Sequence, residues 1–221
     1  MDDYIQAFLD LEKEFNAIIV LNAAENLIPE GESARLAAQS HGGMSKITVL
    51  DSKQIGTGIG IIAQHAARKI ATGASMPEVE LYIRSLIPYL FTMICPEFLP
   101  GSPNPKNHTP AESIETSTSS QIYSLENGSL SPYKKIRSQR HLLDNFQEFI
   151  GEFEYPQILT YFHGPKSTLH VRPLREFAGA LFPKVHFTNM EINRQVSNLF
   201  GETLVGITIL EAPADRVLGS T

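Results

Sequence analysis

The residues whose types and spacing could do chemistry lie in the first sixty positions. Gly56-Thr57-Gly58-Ile59-Gly60 follows an apolar β-type run, Ile47 to Leu50, and opens a helical stretch. Backbone amides at a glycine-lined helix start, together with the helix dipole, make a seat for an anionic group such as phosphate or carboxylate. The pattern is neither the dinucleotide fingerprint nor a P-loop, which needs a following lysine. Close packing of helix on strand accounts for the same glycines equally well. Asp51-Ser52 ends the Ile47–Leu50 strand, and Asn22-Ala23-Ala24 ends the preceding run, Ala17 to Leu21. In open α/β sheets, ligands bind outside the carboxyl ends of strands. Asn22, Ala23, Ser52, Gly58 and Gly60 are therefore the expected surroundings of one anionic headgroup.

Other chemistries find less support. His163 ends a strand in Tyr161-Phe162-His163-Gly164-Pro165, a placement that suits a general base. A histidine leaving a strand is also an ordinary capping or solvent-facing residue. Lys134, Lys135, Arg137 and Arg140 cluster where a helix should start, which suits either solvent or an acidic partner. The seven histidines and one cysteine contain no HxxxH, HExxH or CxxC spacing, so no metal site is expected. There is no Gly-x-Ser-x-Gly elbow. Cys95 stands in an apolar setting that should raise its pKa and make it a buried small hydrophobe.

These residues belong to a chain of 221 residues with formal net charge −6. At about 150 residues per domain, that length suits one large domain or two small ones. An acidic balance argues against nucleic acid as a partner. A single cysteine offers no internal disulfide, and the acidic N-terminus lacks the positive charge of a signal peptide. No apolar run reaches the roughly 20 residues needed to cross a bilayer. A cytoplasmic location follows as the expectation.

The elements that must position the site alternate. Helical spacing from Tyr4 to Phe15, the Ala17–Leu21 run, a short helix from Ser33 to Ser40, the Ile47–Leu50 strand and a helix from Gly58 to Thr72 imply right-handed crossovers over a parallel sheet. A boundary near Gly73 divides the chain into 1–74, a partial N-terminal α/β domain, and 75–221, a C-terminal α/β domain. Ser75 and Glu78 form a capping box, with Pro77 in the first turn, for a helix expected to reach about Met93. Pro100 to Ser120, rich in Pro, Ser and Thr, reads as a long loop. Asn127-Gly128 between Gln121–Leu125 and Ser129–Tyr133 is a strong hairpin signal. A helix from Ser138 to Phe153, two strand–helix units and a last strand, Leu204 to Leu210, complete an α/β half with a hairpin.

Three segments resemble the DegV family of bacterial fatty-acid-binding proteins. They are Val49-Leu50-Asp51-Ser52-Lys53 with Gly58-Ile59-Gly60, the hairpin block Leu125 to Ser138, and Phe200 to Ile207 at the place of the family's terminal glycine motif. The resemblance runs from about Tyr4 to Glu211. It implies a two-domain arrangement with an incomplete parallel-sheet N-terminal domain, as though the chain started within that domain. It also implies a non-enzymatic carrier that holds a long-chain fatty acid between its domains, with Ile59, Ile62 and Ile122 lining apolar surface, although ordinary core packing explains each isoleucine taken singly. The carboxylate would be available to a separate fatty acid kinase subunit, and Arg137, which fits a charged family position, would face that partner. No cofactor is implied beyond the fatty acid. Asn22 to Pro29 replaces the family's hydroxyl-rich stretch, and Glu25 in it would repel a carboxylate if it faced inward. Two other classes remain open: an enzyme of the dihydroxyacetone-kinase fold group using His163, and a protein-interaction module acting through Lys134 to Arg140.

Overall fold

The computed structural model describes residues 1–100 and 120–212; the expected loop from Pro100 to Ser120 lies almost wholly outside them. The chain forms two compact units, Met1–Pro88 with Asn127–Ser129, and Tyr89–Glu126 with Leu130 onward.

In the first unit, α1 (Asp2–Leu11), β1 (Ala17–Asn22), α2 (Gly31–Ser40), β2 (Lys46–Asp51), α3 (Thr57–Ala71) and α4 (Met76–Leu86) follow one another. β1 and β2 pair in parallel, Ala17 opposite Lys46 through Asn22 opposite Asp51, as a strand–helix–strand crossover requires. Ile18 and Val20, two apart on β1, join Phe8 of α1 and Ala37 of α2 in one apolar cluster. Burying such side chains contributes about 1.5–3 kcal/mol each. α4 starts on the expected capping box: the Glu78 carboxylate accepts from the Ser75 amide at 2.8 Å and the Ser75 hydroxyl at 2.7 Å. It packs on α3, where Tyr82 lies 2.9 Å from His65 Nδ1. The composition break near Gly73 falls between these two helices, while their packing keeps α4 with the first unit.

The second unit is a mixed six-stranded sheet of order β5-β4-β3-β8-β6-β7. Its strands are β3 (Leu90–Cys95), β4 (Ser120–Glu126), β5 (Ser129–Ile136), β6 (Pro156–His163), β7 (His186–Glu191) and β8 (Val205–Glu211). α5 (Gln139–Gly151), α6 (Arg172–Leu181) and α7 (Arg194–Phe200) connect them. The expected helix to Met93 is corrected here. α4 stops at Leu86, a 3-10 turn spans Ile87–Tyr89, and residues 90–95 form a central strand. Pro88 has no N–H to donate to a helical ladder, and the apolar Leu90–Cys95 run is strand material once the helix is broken.

One face of this sheet packs Met93, Leu159, Tyr161, Ile207 and Ile209 against Phe146 and Ile150 of α5 and Leu174 of α6. The alternate positions carry a row of threonines in register across four strands, Thr92, Thr208, Thr160 and Thr188. Their hydroxyls pair at 2.9 Å (Thr92 with Thr208) and 2.8 Å (Thr160 with Thr188), which satisfies groups that burial would otherwise leave unmet.

Candidate functional site

The ends of β1 and β2 come together as the sequence requires. The ladder continues past the strands: Ser52 N–H donates to the Asn22 carbonyl at 3.1 Å, and Ala24 N–H to the Gln54 carbonyl at 2.8 Å. Ser52 is fully buried, accepting from Gln54 N–H at 3.2 Å and donating to the Gln54 carbonyl at 3.4 Å. Its hydroxyl is thus engaged in folding the loop between β2 and α3. Lys53 sits at φ +55° within that loop. The Asp51 carboxylate holds it there, accepting from Lys53 N–H at 2.8 Å and pairing with Lys53 Nζ at 2.5 Å.

Asn22 differs from its neighbours. It is 5% exposed, and its side-chain Nδ2 is buried with no hydrogen-bond partner. Leaving such a donor unmet costs about 1–3 kcal/mol. Ala23 beside it is half-buried, and Ala24 is fully buried. Glu25 is answered by Arg35, whose guanidinium donates to both carboxylate oxygens at 2.5 and 3.0 Å. The same hydrogen bonds push the Arg35 pKa up.

At the start of α3, Gly56 takes φ +48°, a conformation that glycine adopts without strain. The expected anion-binding amides are engaged by the backbone: Gly58 N–H donates to the Ile55 carbonyl at 3.1 Å and Gly60 N–H to the Gly56 carbonyl at 3.4 Å. Gly58 is also a packing residue, since a Cβ there would stand 2.6 Å from Gln54 Oε1 and 2.8 Å from Gln54 Cβ. Gly60 faces open space. Ile59 is half-buried on α3, whereas Ile61 and Ile62 are the buried residues of that turn. Ile122 stands elsewhere, fully buried in the core of the second unit with Met93 and Ile136.

One part of this site is not apparent from local spacing. The hairpin turn Asn127–Ser129 belongs to the first unit. Asn26 Nδ2 donates to Ser129 Oγ at 2.9 Å, and Gly128 is buried at φ +83°. A Cβ on Gly128 would stand 3.0 Å from Lys53 Cδ and 3.4 Å from Ala24 Cβ. The Asn-Gly signal gives the turn, but its seat on the loops after β1 and β2 is a long-range fact.

Arg137 is exposed between β5 and α5. Lys134, three residues earlier, pairs with Glu148 at 3.1 Å. His163 ends β6 as expected, its Nδ1 lying 3.0 Å from the Gly164 carbonyl and its ring stacked on Tyr161. Among the described residues no three His, Cys, Asp or Glu side chains gather as a metal site, and no helix is long and apolar enough to cross a membrane.

The second unit holds a cavity of about 680 Å³ at the Cys95 end of β3. Cys95, Phe98, Leu142, Leu169 and Val205 supply apolar wall, and Gln139 donates to Thr168 across its rim at 2.7 Å. Burial pushes the Cys95 thiol up to about 11, so it is a neutral wall group, as its sequence setting implies.

Residues 1–99 match the sequence model of the family described as uncharacterised protein, DegV family. No curated protein matches the sequence. The fold is that of several solved structures. A DegV family protein from Eubacterium eligens, loaded with heptadecanoic acid, superposes with TM-score 0.77 at 17% identity, over 96% of this chain and 77% of that one. The Streptococcus pneumoniae fatty acid kinase B3 protein, loaded with linoleic acid, gives 0.79 at 16% identity over 96% and 76%. DegV of Bacillus subtilis, a fatty acid binding protein, gives 0.77 at 17% over 96% and 76%.

Proposed function

We propose that this chain, which has the DegV fold and matches the DegV family over residues 1–99, binds a long-chain fatty acid as a carrier and not as a catalyst. The observation that carries this reading is the buried, unpartnered amide of Asn22 at the joined ends of β1 and β2. A ligand oxygen accepting from Nδ2 removes the cost of that unmet donor. Ala23, Ser52, Gly58 and Gly60 then act as the walls of the headgroup crevice, Ser52 by fixing the Gln54 backbone. Ile59 adds apolar surface on α3. The relatives loaded with heptadecanoic and linoleic acids support the same ligand class. So does the cavity of the second unit, whose wall mixes apolar groups such as Phe98, Leu142 and Val205 with polar ones, and whose volume lies in the range of about 300–1,000 Å³ usual for small-molecule sites. An acyl chain of about 15 methylenes gains roughly 0.8 kcal/mol for each one buried, enough for tight retention without covalent chemistry.

The partner is a separate fatty acid kinase subunit, in keeping with the name of the Streptococcus pneumoniae relative, and Arg137 is the residue assigned to that contact. The compartment is the cytoplasm, where a lone thiol such as Cys95 stays reduced. The test is loading. Purified chain incubated with isotope-labelled hexadecanoic acid and repurified should retain the label, measured by mass spectrometry of the extracted lipid. Asn22→Leu should retain far less while keeping its circular dichroism spectrum. Equal retention by both would remove Asn22 from the site, and retention by neither would remove the reading.

A further inference from the structure

Resting on the acyl-binding reading, we infer that the strand-end site recognises its headgroup by one hydrogen bond and not by charge, so that uncharged acyl compounds are ligands on a par with carboxylates. The cations at this end of the first unit are already neutralised. Lys53 Nζ pairs with Asp51, and the Arg35 guanidinium grips both oxygens of Glu25. Glu32 adds a further negative charge beside Arg35. At the positive end of α3 the Gly58 and Gly60 amides donate to the Ile55 and Gly56 carbonyls, and Ser52 Oγ bonds both polar groups of the Gln54 backbone.

Asn22 Nδ2, at the end of β1, is a neutral donor that is buried and unpartnered. A neutral amide N–H in a dry setting donates to any oxygen with a lone pair. A desolvated carboxylate there lacks the opposite charge or the several donors that normally compensate its burial. A primary amide, an alcohol or a protonated acid loses less on leaving water and still accepts from Nδ2. The class of ligand is thus a long acyl or alkyl chain ending in a small oxygen-bearing group of either charge state.

A competition separates this inference from the reading beneath it. The full chain, stripped of lipid, is incubated with an equimolar mixture of hexadecanoate, hexadecanamide and hexadecan-1-ol, passed through a desalting column and extracted. Mass spectrometry then gives the bound ratio. The inference expects amide and alcohol each retained within about threefold of hexadecanoate or above it, and all three reduced roughly tenfold in Asn22→Leu, the cost of one hydrogen bond. Retention of hexadecanoate at tenfold or more over both neutral compounds overturns the inference and leaves the acyl-binding reading standing. Retention of none of the three overturns both.

Discussion

The glycines at the start of α3 separate two roles that look alike in the sequence. Gly58 is held against Gln54, and a Cβ there would stand well inside van der Waals contact with that side chain's Oε1 and Cβ. Gly60, two residues on, is exposed with nothing near its missing side chain. Gly60→Ala should therefore raise stability by about 1 kcal/mol through helix propensity. Gly58→Ala should lower it, because the loop that carries Ser52 and Gln54 must shift. Thermal melting of the two variants gives opposite signs on this account, and equal gains would remove the packing role of Gly58. Sequence spacing marked both glycines for one anion seat. It could not show that their amides are taken by Ile55 and Gly56, since hydrogen-bond partners depend on the turn actually formed. Asn22 was legible as a polar residue at a strand end, but its isolation was not, because that depends on which groups surround it.

At the scale of elements, helices and strands with clear caps and runs were legible. β1, β2, α3 and the capped start of α4 stand within two residues of where periodicity places them. The exception is β3, hidden behind a helical pattern whose apolar residues continue without a break into Leu90–Cys95. Only Pro88 signals the change, and a proline near a helix end is compatible with either a stop or a kink. The α3–α4 contact also makes a pH prediction. Burial first, and the nearby Arg68 second, hold the His65 pKa below its ordinary 6.5, and its Nε2 is buried without a partner. Tyr82 and Lys69 also face this contact. Since the unfolded chain takes up the proton more readily, the contribution of neutral His65 is present above about pH 6.5 and is lost as pH falls through its lowered folded-state value. Melting temperature measured from pH 7.5 down to 5 should therefore fall more steeply for the natural chain than for His65→Gln. Parallel curves would mean that His65 does not report on this contact.

For the whole molecule, the two units have different relations to the sequence. The first unit follows local rules: a parallel strand pair joined by a helical crossover, and helices whose apolar stripes meet it. The second places the last strand, β8, between β3 and β6, so its sheet order depends on pairings between residues more than 100 positions apart, such as Thr92 with Thr208. Segment counting finds the pieces of such a sheet and not their order. The hairpin turn shows the same limit, since Asn127-Gly128 is readable as a turn but its bond from Asn26 to Ser129 is not. The resemblance to DegV proteins was available from motif order, and the fold comparison extends that likeness over 96% of the chain, whereas the two compact units divide at Pro88 and not at the composition break near Gly73. The central claim is that this fold, with the unmet buried donor of Asn22, carries an acyl ligand. Native mass spectrometry of the chain purified from lipid-rich cells tests it most directly. The account predicts a folded species heavier than the sequence mass by one long-chain acyl compound, released on denaturation; a folded species at the bare sequence mass, which also takes up no added hexadecanoic acid, would contradict it.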